Sequence, residues 1–163
     1  MHRHARARLA AALVISSLLA ACGLGAASLA ERLALDPLTV ERSGRPNDAL
    51  VCPTGQCRAT ADRQAPVLAL PAADQRRLWE EGVQSSPRAR LLQHSGDPLL
   101  LHAEQRTALL RFVDTSAVRI LPLSDHSSTF AAYSRSELGY YDLGVNAARL
   151  DDWIARVVAA AGG

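Results

Sequence analysis

The sequence predicts an α+β domain: an antiparallel sheet of about four strands with two main helices packed on it. Three observations predict it. Ala72–Gln84 and Asn146–Ala161 carry apolar residues at helical spacing. Between them, from Arg90 to Ser136, the period falls to two, and short polar turns separate the runs. A glycine-punctuated loop, Gly139 to Asn146, then joins the last strand to the last helix.

The chain has 163 residues, 48% of them hydrophobic and 21% charged, which gives room for one domain behind a leader. Aromatic residues make up only 4%, so the core must rest mainly on Leu, Val, Ile and Ala. Met1–Ala21 reads as a signal peptide: Arg3, Arg6 and Arg8 precede an apolar run, Leu9 to Ala20, that is short for a bilayer span. Leu19-Ala20-Ala21-Cys22 resembles the cleavage box of bacterial lipoproteins, which implies lipidation of Cys22 and a membrane partner through the acylated cysteine. Gly23 follows with no Asp at that place, so the same resemblance implies the periplasmic face of the cell envelope, at the outer rather than the inner membrane. Taking the three leader arginines from the 18 bases leaves 15 against 16 acids, so no basic footprint for nucleic acid remains.

Residues 22–45 read as a lipidated tether, interrupted at Asp36-Pro37 and closed by the turn residues Ser43-Gly44-Arg45-Pro46. The single domain is expected over 46–163. Cys52 and Cys57, in C-P-T-G-Q-C, are expected to form a disulfide. An exported chain enters an oxidising space, Pro53 and Gly55 favour a tight turn, and the C-x4-C spacing fits neither a redox pair nor a zinc knuckle.

Val67–Leu70 is a short extended run, and Pro71 suits the start of the first helix. That helix places Leu78, Trp79 and Val83 inward, with Arg76, Arg77, Glu80 and Glu81 outward. Strands follow at Arg90–Gln93, Leu99–Gln105 continuing extended through Thr107–Val113, Ala117–Leu123 and Thr129–Ser136. Asp125 to Ser128 form a hairpin loop. The last helix takes Asn146 as its N-cap and buries Leu150, Trp153, Ile154, Val157, Val158 and Ala161.

G-Y-Y-D-L-G-V-N, Gly139 to Asn146, resembles the signature of the domain-of-unknown-function 1499 family, whose usual run is R-S-x-S-R-x-G-x-x-D-x-G-x-N-R-x-R. Ser134, Ser136, Gly139, Asp142, Gly144, Asn146 and Arg149 match without gaps, and Arg111-Phe112-Val113-Asp114 matches an upstream R-F-V-D element. Tyr133, Glu137 and Ala147 depart from it. The resemblance covers Pro46 to the C-terminus. It implies a small α+β domain of exported or membrane-attached proteins and no established activity.

Two readings of the matched residues stand open. In one, Asp142, Asn146 and the glycines shape a turn and a helix start. In the other, Asp114, Ser134, Ser136, Tyr140, Asp142 and Arg149 form a shallow polar site for an unknown protein or small-molecule partner. A hydrolase using Ser134 or Ser136 with His102 and Asp114 is the enzymatic alternative, although no G-x-S-x-G elbow occurs. His94, His102 and His126 are too dispersed for a metal site, and no phosphate loop or dinucleotide fingerprint implies a cofactor.

Overall fold

A computed structural model describes residues 27–92 and 96–162. The signal peptide and Cys22, and also His94, lie outside the described residues. Among the described residues, three helices and six strands follow in the order α1 (Leu29–Leu33), β1 (Asp48–Cys52), β2 (Arg63–Gln64), α2 (Ala72–Gln84), β3 (Ala89–Leu91), β4 (Leu100–Arg106), β5 (Val113–Ser124), β6 (Ser127–Ser136) and α3 (Val145–Ala161).

The sheet order is β2-β1-β6-β5-β4-β3. β3 to β6 are the antiparallel meander that the sequence predicts. The sheet is nevertheless mixed and wider than four strands. β1 adds antiparallel to β6, and the two-residue β2 lies parallel to β1. β1 was hidden because Ala49 to Cys52 are all buried, so the run shows no alternation. A second correction concerns Thr107–Val113. Residues 107–112 form a loop, not extended chain, closed by Thr107 N to Phe112 O at 2.9 Å and Phe112 N to Thr107 Oγ1 at 2.9 Å. Its apolar composition, Ala108-Leu109-Leu110, hides the turn, which Arg111 completes at φ 54°. Val67–Leu70 contributes only a bridge, Leu68 to Ser128.

Period-two alternation gives the sheet two buried faces. On one, Val51, Leu101, Val118, Ile120 and Phe130 pack against Trp79 and Val83 of α2 and against Leu150, Trp153 and Val157 of α3. Trp79 meets Phe130 edge to face, centroids 4.9 Å apart. Of the stripe expected on α3, Ile154 and Ala161 are half-buried and Val158 is exposed, so the buried face is narrower than the sequence suggests.

The other face is covered by the stretch read as a tether. Leu35 and Val40 pack with Leu50, Cys52, Ala117, Ala131 and Tyr133. Ion pairs fasten the same stretch: Arg32 to Glu104 at 2.9 Å, Arg42 to Asp48 at 2.6 Å and Asp36 to Arg119 at 2.5 Å. The folded body therefore takes in residues 27–45. Cys52 and Cys57 are joined in a disulfide, which closes the turn beside the paired ends of β1 and β2.

Candidate functional site

Asp114 is the second residue of β5, Ser134 and Ser136 lie at the end of β6, and Arg149 stands in the second turn of α3. In β5, β6 and α3 these positions share the helix-facing side, and the fold brings them together. Arg149 is the hub. Its Nη2 donates to Asp114 Oδ2 at 2.5 Å, its Nη1 to Ser134 Oγ at 2.9 Å and Asn146 Oδ1 at 2.5 Å, and its Nε to Gln105 Oε1 at 2.5 Å. Ser134 Oγ in turn donates to Asn146 Oδ1 at 2.6 Å and shares a bond with Ser116 Oγ at 2.8 Å. Asn146 Nδ2 donates to Asp142 Oδ2 at 2.7 Å and to Ser136 Oγ and Asn47 O, both at 3.0 Å. A guanidinium fork is suited to this work, since its donors are fixed in one plane.

Asp142, not Asn146, caps α3. Its Oδ1 accepts from Gly144 N and its Oδ2 from Asn146 N, each at 2.9 Å. Gly144 takes the N-cap place in the left-handed region, φ 78°, where a side chain would be strained. Asn146, one place inside the helix, is thereby free to bridge strand, loop and helix. Asn47, Gln105 and Ser116 complete the network. Of these, Ser116 alone carried a signal, its even spacing with Asp114 and Val118 on one strand face.

The centre of this cluster is buried, while Arg149 and Gln105 also border a cleft of about 350 Å³ beside Arg88 and Thr107. Ser134 and Asn146 are 0% exposed, Asp114 1% and Arg149 7%. Tyr140, by contrast, is 68% exposed and stands apart from it. Ser136 reaches a cleft of about 190 Å³ lined also by Glu41, Arg45, Arg135 and Gly139. That volume is below the roughly 300–1,000 Å³ of typical small-molecule sites.

The geometry overturns the proposed Ser–His–Asp relay. Leu101 and Ala103 face the helices, so His102 between them points to the opposite side, where its Nε2 lies 2.7 Å from Leu35 O. The sheet itself separates the imidazole from Ser134, Ser136 and Asp114. Among the described residues, no group of three His, Cys, Asp or Glu side chains is placed to hold a metal ion.

A family model described as protein of unknown function (DUF1499) matches residues 34–157. The chain belongs to this family. The match begins before β1, in agreement with the packing of Leu35 and Val40 in the DUF1499 domain. No curated protein matches the chain. Among solved structures, the di-domain ARO/CYC StfQ from the steffimycin biosynthetic pathway is similar at 15% identity and TM-score 0.45, over 60% of this chain and 43% of that one. The DUF1499 chain thus spans less than half of StfQ. Protein CV1439 from Chromobacterium violaceum is similar at 10% identity and TM-score 0.46, over 72% of this chain and 99% of that one. TTHA0849 from Thermus thermophilus is similar at 11% identity and TM-score 0.36, over 69% and 98%.

Proposed function

We propose that this DUF1499 protein is a lipid-anchored component of the cell envelope that acts as a non-enzymatic binding or structural module. The observation that carries the non-enzymatic half is the burial of Asp114, Ser134 and Asn146 around Arg149. Asp114, Ser134 and Asn146 bond Arg149 or one another inside the fold, so Ser134 does not stand beside a base at an open surface. The anchoring half rests on Leu19-Ala20-Ala21-Cys22 behind a basic, then apolar leader. The Cys52–Cys57 disulfide supports an oxidising compartment. Partner recognition is assigned to the surface beside the network, where Arg45, Arg135 and Ser136 line the small polar cleft.

Mass spectrometry of the chain recovered from membranes tests the anchor. The expected species begins at Cys22 with a diacylglycerol thioether, and C22A shifts the protein out of the lipidated fraction. An unmodified Cys22 in the native protein refutes the anchor. Arg135→Ala tests the module: it should fold normally yet fail to complement a deletion strain. Full complementation removes the cleft from the proposal.

A further inference from the structure

The exposed apolar side chains are not scattered. Of eleven large hydrophobic residues exposed among the described residues, six stand on two loops: Leu109, Leu110 and Phe112 between β4 and β5, and Tyr140, Tyr141 and Leu143 between β6 and α3. Both loops leave the same end of the sheet, because Arg106 pairs with Val113 and Asp114 with Ser136. Glu137 N to Val113 O, 3.1 Å, ties their bases together.

These loops hold their apolar tips outward. Leu143 is 81% exposed with φ 58°, a left-handed conformation uncommon for leucine, and the two bonds accepted by the Asp142 carboxylate fix the turn around it. Arg111 repeats the device at φ 54° in the other loop. Backbone strain that orders an exposed leucine, with no burial in return, points to an external contact. Arg88 and Arg111 supply positive charge at the same end, where Arg106 pairs with Glu104 and the second loop carries Glu137 and Asp142.

The start of the described chain identifies that contact. Ala27 N donates to Glu137 Oε2 at 3.2 Å, so the N-terminal segment enters the fold at this end. Cys22 lies only five Cα steps earlier, which limits its reach to about 17 Å. The opposite end of the sheet, at Asp125-His126, lies the length of β6 away, about 33 Å for ten residues.

We propose that the 107–112 and 137–144 loops form a membrane-contacting face, which seats Leu109, Leu110, Phe112 and Leu143 in the lipid interface beside the acylated cysteine. Tyr140 and Tyr141 suit the headgroup level, and the arginines suit anionic lipid. A second contact of this kind adds to acyl anchoring and fixes the orientation of the domain, so that the sheet stands away from the bilayer. This inference rests on the acylation of Cys22.

The full lipidated chain, purified and reconstituted in phosphatidylethanolamine–phosphatidylglycerol vesicles with brominated acyl chains, tests it. L110W, L143W and, at the far end, L123W each report insertion by fluorescence quenching, since Trp79 and Trp153 are buried at 0% and 1% exposure. The emission added by the new tryptophan, taken as the difference from the parent protein, should fall about twofold or more for L110W and L143W and stay unchanged for L123W, given an interfacial depth of about 5–10 Å. Equal quenching at both ends, or none, overturns the membrane face even when mass spectrometry finds Cys22 acylated. An unmodified Cys22 overturns this inference together with the anchor. A dimer that L143S dissolves, without quenching, assigns the face to a second copy and likewise overturns it.

Discussion

Glu104 is buried at 2% exposure, with three arginines around its carboxylate. Burial alone would push its pKa up, but the bond from Arg90 and the charges of Arg90, Arg106 and Arg32 outweigh it and hold the group below the ordinary carboxylate value of 4.5. A depressed folded pKa contributes stability that is fully present above the unfolded value and is lost as pH falls through the folded one. Melting temperature should therefore drop on acidification below pH 4.5. Glu104→Gln should be less stable at neutral pH and show a shallower acid limb. Thermal melts between about pH 7 and about pH 3 check this, and an unchanged limb would refute it. The pairings with Arg32 and Arg90 were not legible in the sequence, because those residues come from a helix and another strand, whereas Arg106 stands two residues from Glu104 on the same face of β4.

At the scale of elements, the Arg149 network is what fastens α3 to the sheet. The hydrophobic stripe Leu150, Trp153 and Val157 was readable from spacing, since helical period and burial coincide there. The polar half was readable only as a set of residue types. Asn146 has the chemistry of an N-cap, yet Asp142 caps the helix from outside and Asn146 turns inward. Asp114 and Arg149 have side-chain exposures of 2% and 5%. Removing one partner leaves a buried charge, so Asp114→Ala should cost about 3–5 kcal/mol. The apolar pair Asp114→Leu with Arg149→Met should lose less than the single change. Urea denaturation checks both. A loss near zero for Asp114→Ala would mean that the pair is not closed in solution.

For the whole molecule, the decisive feature is the N-terminal stretch laid across the second face of the sheet. Leu35 and Val40 are exposed by only 8% and 7%. Burying such side chains contributes about 1.5–3 kcal/mol each, a large share of the roughly 5–15 kcal/mol that stabilises a domain. A chain that begins at Arg45 would also strip partners from Glu104, Asp48 and Arg119. It should aggregate or lose cooperative unfolding, whereas a chain that begins at Ala27 should melt as one unit. Calorimetry of the two distinguishes them, and equal melting temperatures would show the stretch to be dispensable. Composition concealed this role: short apolar residues among Pro, Gly and Arg look like a spacer when only local pattern is available.

By itself the sequence determined the local periods: which runs are helices, which are the meander strands and where the disulfide forms; only the resemblance to the family's run grouped Asp114, Ser134, Ser136, Asp142 and Arg149. Tertiary structure alone decided which side of the sheet each of them faces. It buried Asp114, Ser134 and Arg149, put His102 behind the sheet, added β1 and β2, and gathered six exposed apolar side chains at one end. Periodicity is a property of neighbours along the chain. Facing, pairing and enclosure depend on contacts between residues far apart in sequence, which no local spacing records.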